Sequence, residues 1–159
     1  MSPIFRQNVI MQYVGTPDFT HGTPARLGVL LVNLGTPDEP TTAAVRRYLA
    51  EFLWDPRVIE MSRPLWWLIL HGIILRVRPA KSAHAYQKVW TPQGSPLMLE
   101  SRALTQAVAE RLKTRFGDRV RVELAMSYGN PSIEGALERF RRDNVQRLLV
   151  LPMYPQYSA

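Results

Sequence analysis

Cysteine is absent from the chain. That excludes a disulfide framework, a thiolate metal site and a cysteine nucleophile within these residues, and it fits a reducing compartment. Long apolar runs are missing too. The most apolar segment, Leu65 to Leu75, covers 11 residues, whereas a bilayer-spanning helix needs about 20, so this segment reads as a buried or interfacial helix. Acidic residues vanish between Glu60 and Glu100, a window that holds Arg63, Arg76, Arg78, Lys81 and Lys88. Several nucleotide and hydrolase signatures are also lacking. Gly35-Thr36-Pro37 is not followed by Gly-Lys-Ser/Thr, so a P-loop is excluded, and neither G-x-G-x-x-G nor a G-x-S-x-G elbow occurs. His21, His71 and His84 have no metal-ligand spacing and read as surface or lining residues. Residues 1–27 lack the apolar core of a secretory signal and carry Pro3, Pro17, Gly22 and Pro24, so they are expected to form a mobile amino-terminal arm.

What is present suits a folded domain with an anionic partner. Hydrophobic residues make up 46% of the 159 and charged residues 21%, enough for a core and too few charges for wholesale disorder. The net charge of +7 asks for nucleic acid, a membrane surface or a carboxylated or phosphorylated small molecule. The acid-free window also contains Trp66, Trp67 and Trp90, three of the four tryptophans. Basic side chains among large aromatics suit a flat anionic ligand or an anionic interface; the plain alternative is an aromatic helix core with solvated charges.

Hydrophobic periodicity predicts an α/β order. Gly28 to Leu34 is a strand candidate, and the helix after Thr41 or Thr42 sets Val45, Tyr48, Leu49, Phe52 and Leu53 on one face. Further helices are expected over Pro64–Leu75, Pro79–Val89 and from Ser95-Pro96 to about Phe116. Val120 to Met126 alternates as a second strand. Ser132 caps a helix bearing Ile133, Leu137 and Phe140, and the continuous apolar run from Arg147 to Met153 reads as a buried strand. Strand, helices, strand, helix, strand implies right-handed crossovers and a parallel sheet. The loops after the strands, at Asn33–Pro37, Met126–Pro131 and Leu151–Ser158, should then emerge at one edge and converge on a cleft.

Five motifs in order carry a resemblance. Gly28-Val29-Leu30-Leu31-Val32-Asn33-Leu34-Gly35-Thr36-Pro37-Asp38 is followed by Ser62-Arg63-Pro64-Leu65-Trp66-Trp67 and Gly94-Ser95-Pro96-Leu97. Met126-Ser127-Tyr128-Gly129 and Leu151-Pro152-Met153-Tyr154-Pro155-Gln156-Tyr157-Ser158 complete the set. From about Gly28 onward the chain resembles the amino-terminal portion of a proteobacterial ferrochelatase. The resemblance implies a Rossmann-like three-layer lobe with a parallel sheet, residues 28–159, which would pair with a second similar lobe. It implies insertion of Fe²⁺ into protoporphyrin IX to give protoheme, the last step of heme biosynthesis. Leu34 matches a position against the macrocycle face, and Arg78, Tyr86 and Ser95 match positions at the porphyrin and its propionates. Ser127 and Tyr128 lie in a matched strand-end loop and are assigned to the porphyrin as well. The segment of about 62–80, with Trp66, Trp67 and Leu70, matches a lip that closes over the porphyrin and touches the membrane.

The histidine and glutamate that handle proton removal and metal in the family have no counterpart here, so no catalytic or metal-binding residue is assigned. The segment itself is expected to bind no cofactor, Fe²⁺ being a substrate, and without cysteine it offers no iron–sulfur ligands. Porphyrin and Fe²⁺ are the expected partners, with peripheral membrane contact through the lip and no nucleic acid, in the cytoplasm. Three predicted strands are few for a doubly wound domain, so the lobe is expected to be truncated; lacking the proton acceptor and metal ligands, it is expected to be inactive alone. Two alternatives remain: a related chelatase inserting cobalt into another tetrapyrrole, and a non-catalytic tetrapyrrole-binding or membrane-surface module.

Overall fold

A computed structural model describes residues 25–154; most of the expected arm and the end of the Pro/Tyr-rich terminal run lie outside the described residues. Three parallel strands, β1 (Arg26–Thr36), β2 (Val120–Gly129) and β3 (Val145–Pro152), form one sheet in the order β2-β1-β3. The α/β class and parallel sheet match the expectation. β1 starts at Arg26, two residues before Gly28, because Arg26 already pairs with Val145 and donates to the carbonyl of Asp143 at 3.0 Å.

Helices cover the two faces of β1 and β2. On one side α4 (Pro96–Phe116) sets Met98, Val108 and Leu112 on the buried Val29, Leu31, Leu124 and Met126. On the other, α5 (Ile133–Arg142) sets Ala136 and Phe140 on Leu30, Val32 and Ala125. Both helices start as the sequence predicts. Ser95 and Ser132 accept from Met98 N and Gly135 N, satisfying amides that a first helical turn leaves unpaired.

A third cluster forms beside the sheet. α1 (Thr42–Trp54) buries Val45, Tyr48, Leu49 and Leu53 against Trp66, Leu70, Leu75, Ala83 and Tyr128. Tyr128 comes from β2; the other partners come from one continuous helical rod, where two helices broken before Pro79 are expected. The rod comprises α2 (Arg63–Ile69), a π-helical turn at Leu70–Ile74 and α3 (Leu75–Val89), with Pro79 inside α3. Proline lacks an N–H and so orphans the carbonyl four residues earlier. That carbonyl is Leu75 O, and Arg46 Nε from α1 donates to it at 2.9 Å. The neighbouring helix supplies the missing donor, and the rod continues.

The β3 run differs from its expected place. Its continuous apolar sequence reads as a buried strand, yet Leu148, Leu149, Val150 and Leu151 are 41%, 48%, 47% and 40% exposed. β3 pairs only with β1, and the two face helices lie over β1 and β2.

Candidate functional site

Parallel pairing brings the carboxyl ends of the three strands to one edge, as in open α/β sheets whose ligands sit outside those ends. Gly35 shapes β1 there. It pairs with Tyr128 at φ +119°, and a Cβ would overlap the Tyr128 carbonyl oxygen, so the close approach of β1 and β2 requires glycine. Asn33 is fixed from both ends of its amide. Its Nδ2 donates to Ser101 Oγ on α4 at 3.0 Å, and its Oδ1 accepts from Leu34 N at 2.8 Å. Strand alternation then sends Leu34 to the opposite face, the α5 side, where it is exposed. Ser127 shares that face, and its Oγ lies 3.2 Å from the Tyr154 hydroxyl, with Tyr154 packed on the Leu30–Phe140 cluster. Leu34 and Ser127 are thus brought together at the carboxyl edge, with a partner in Tyr154, which lies in the fifth motif without a site role assigned to it there.

Ser95 lies on the α4 side of the same edge. It is buried and lines a cavity of about 320 Å³ with Thr36, Asp38, Trp90, Arg102 and Asn130. Arg102 stands seven residues past Ser95, two turns along the same helix face. Neither Thr36 nor Arg102 is marked by the sequence as a site residue; position i+7 on a capped helix is the one signal that points to Arg102. Tyr86 joins this region through Trp90, edge to face with ring centroids 6.1 Å apart. Burial raises the Tyr86 phenol above its ordinary value. Arg78 lies on the same helix about 12 Å farther along its axis. It is exposed and has no ion pair among the described residues.

Tyr128, Trp66 and Leu70 sit elsewhere. All three are buried in the α1 cluster. Tyr128 meets Phe52 edge to face at 5.1 Å and donates its hydroxyl to Asp55 Oδ2 at 2.9 Å. Asp55 also accepts from Arg57 N at 2.8 Å and Nε at 3.0 Å. Those bonds hold the Asp55 carboxyl well below the usual carboxylate range, chiefly through the Arg57 guanidinium, and push Arg57 up. Burial, and then the bond to Asp55, raises Tyr128 to about 12; burial raises Tyr48 to about 12 as well.

The lip segment is therefore two-faced. Trp66 is 5% exposed, with its Nε1 donating to Leu53 O at 2.7 Å, whereas Trp67 is 53% exposed beside Leu65, Leu68 and Ile73. Among the described residues no helix is long and apolar enough to cross a membrane, and no group of three or more His, Cys, Asp or Glu is placed to hold a metal ion. His71 and His84 are both exposed.

The ferrochelatase family model matches residues 26–159. The chain is 58% identical over 149 residues to the ferrochelatase of Marinobacter nauticus and 58% identical to that of Thioalkalivibrio sulfidiphilus, covering 94% of this chain and 40% of each relative. A protein named ferrochelatase 2 from Shewanella oneidensis is 58% identical over 139 residues, covering 87% of this chain and 42% of the relative. The chain thus spans about two-fifths of the length of these curated relatives.

Proposed function

This chain belongs to the ferrochelatase family, and from that premise we propose that it forms the porphyrin-binding wall of a cleft in which Fe²⁺ enters protoporphyrin IX. The observation that carries the proposal is the edge itself, where an exposed Leu34 and a hydrogen-bonded Ser127 stand together at the carboxyl ends of β1 and β2. An apolar side chain there gives a macrocycle a dry contact, and Tyr154 holds the serine hydroxyl in place. Arg78, charged and unpaired among the described residues, takes a propionate carboxylate, which a guanidinium fork recognises with two hydrogen bonds. Ser95 and Tyr86 orient the ring edge.

Insertion replaces two pyrrole N–H protons by the metal, so the reaction needs a proton acceptor and a group that strips water from Fe²⁺. No residue of this chain takes either part in the proposal. Its share is binding, orientation and exclusion of water, and it carries no cofactor of its own. The exposed lip residues Trp67, Leu68 and Ile73, beside Arg76 and Arg78, give a cytoplasmic protein an interfacial contact with an anionic membrane surface.

A protoporphyrin IX titration followed by fluorescence quenching tests binding, and heme formation from added Fe²⁺ tests chemistry. Saturable quenching without heme above the uncatalysed rate is expected. Absence of saturable quenching would overturn the binding role, and heme formation would overturn the division of labour.

A further inference from the structure

We infer that the amino edge of the sheet, at the opposite end from the candidate site, is a docking surface for the acidic face of a partner protein. The inference concerns a separate part of the fold and does not rest on porphyrin binding.

The excess charge of the chain sits there. Segments 111–121 and 139–147 hold nine basic residues against Asp118 and Asp143, and their sum of +7 equals the net charge of the whole chain. Topology brings the two segments together. α4 runs through a 3-10 turn (Gly117–Arg119) into the start of β2, and α5 passes through Asp143 and Asn144 into β3. Val120 and Val145 pair with Leu27 and Arg26 at the start of β1. The carboxyl ends of both helices therefore flank the amino edge, about 33 Å along β1 from Thr36.

Two of the nine cations are engaged within the fold. Arg121 Nε lies 3.2 Å from Asp143 Oδ2, and Arg139 Nε lies 2.7 Å from Glu123 Oε2. Lys113, Arg115, Arg119, Arg141, Arg142 and Arg147 are all exposed, with no ion pair among the described residues. Cations in a last helical turn offset the helix dipole, which explains Lys113, Arg115, Arg141 and Arg142 in part. Arg119 and Arg147 lie past the helices, in the 3-10 turn and on β3, where that explanation ends. Like charges gathered at one edge repel, and an anionic partner relieves the repulsion. The chain brings no such counter-charge itself: residues 1–24 contain one arginine and one aspartate, and residues 155–159 none.

Geometry and chemistry select the partner. Tyr128, at the carboxyl end of β2, shares a cluster with Trp66 and Leu70 of the lip, so a membrane held by the lip leaves the amino edge in solution. Duplex nucleic acid is read by the side of a helix or a ribbon laid in a groove, whereas this edge offers helix ends. Single strands need a row of aromatic platforms, and the two segments expose one ring, Phe116, with Arg115 over it at 5.4 Å. A protein surface uses what is present. Guanidinium forks seat carboxylates with paired hydrogen bonds, and the exposed Phe116 and Leu27 supply the apolar contact that protein interfaces set among arginines.

The probe is a fluorescently labelled poly-L-glutamate peptide, titrated with the chain at physiological ionic strength and followed by anisotropy. Saturable binding that weakens with added salt is expected. Arg141→Glu with Arg142→Glu, and separately Arg115→Glu with Arg119→Glu, should each lower affinity by about tenfold or more. Lys81→Glu with Lys88→Glu makes the same charge change at exposed α3 positions and should lower it by less than about threefold. Circular dichroism should be the same for all three. No saturable binding, or equal losses in the three variants, would overturn the inference. A single-stranded RNA of equal charge that binds more tightly, and is lost only in the edge variants, would replace the protein partner by nucleic acid. Loss of phosphatidylserine vesicle binding in the edge variants alone would replace it by a membrane. Porphyrin quenching is not part of the readout, so failure here leaves the binding proposal standing.

Discussion

The Tyr128 hydroxyl meets Asp55 Oδ2 at 2.9 Å, and this bond ties the carboxyl end of β2 to the C-cap of α1. Gly129 N, one residue on, donates to Glu51 Oε2 at 2.9 Å, so β2 is held to α1 at two successive residues. The α1 cluster and the sheet edge are thereby fixed to each other, and with them the positions of Leu34 and Ser95.

Removing the hydroxyl should loosen that junction and change its response to pH. Tyr128→Phe is expected to cost about 1 kcal/mol, the net worth of one hydrogen bond, because Arg57 still satisfies Asp55. Tyrosine in an unfolded chain ionises near about 10, and folded Tyr128 and Tyr48 hold their protons to about 12. Raised values mean a contribution that is whole below about pH 10 and is lost as pH rises through about 12. Asp55, held low, gives the opposite: stability present above the unfolded value of about 3.9 and lost as pH falls below it. Urea unfolding across pH checks both. Tyr128→Phe should shallow the alkaline decline and Asp55→Asn the acid one; curves parallel to wild type would refute the linkage.

Gly35→Ala and Gly94→Ala separate strain from collision. Both glycines have positive φ, +119° and +128°, but only at Gly35 does an added Cβ meet backbone, the Tyr128 carbonyl. Gly94→Ala should cost about 1–2 kcal/mol from backbone strain alone. Gly35→Ala adds a separation of β1 from β2 and should exceed that by at least about 2 kcal/mol. Thermal unfolding of both variants decides it, and equal shifts would mean that the strands part without cost.

Much of this was legible in the sequence, for reasons that are local. Ser95-Pro96 and Ser132 announce α4 and α5 because capping is a contact across three residues. Val45, Tyr48 and Leu49 reveal the buried face of α1 by spacing alone. What failed depended on distant partners. Pro79 reads as a break until Arg46, 29 residues from Leu75, is seen to donate to the freed carbonyl. The β3 leucines read as buried because composition does not say which side of a strand has a neighbour. Ser127 and Tyr128 are adjacent in one motif, yet alternation sends one to the Tyr154 side and the other into the α1 cluster.

Arg78→Ala should weaken porphyrin binding with little effect on the fold. Arg78 is exposed and makes no ion pair among the described residues, so its removal should change stability by less than about 0.5 kcal/mol. A hydrogen bond to a charged group is worth about 1.5–3 kcal/mol, or a loss of roughly 10-fold to 100-fold in affinity for a dicarboxylate porphyrin. Arg78→Lys should recover part of it, keeping charge without the fork. Quenching titrations with the three proteins test this, and identical affinities would remove Arg78 from the propionate role.

Adjacent tryptophans in the lip should separate folding from surface attachment. Trp66 fills the α1 cluster and its indole N–H satisfies the buried Leu53 carbonyl. Trp66→Phe leaves that carbonyl without its donor and opens a gap, so a loss of about 1–3 kcal/mol is expected. Trp67 stands in solvent near Leu68 and Ile73, and Trp67→Ser with Leu68→Ser should leave the unfolding midpoint within about 0.5 kcal/mol of wild type. The same pair removes large apolar side chains from a basic helix, which is what an interfacial helix inserts among headgroups. Sedimentation with vesicles of mixed phosphatidylcholine and phosphatidylserine should therefore fall severalfold for the double variant and stay near wild type for folded Trp66→Phe. If Trp66→Phe lost vesicle binding while folded, or the double variant kept it, the outward face of the lip would not be the attaching surface.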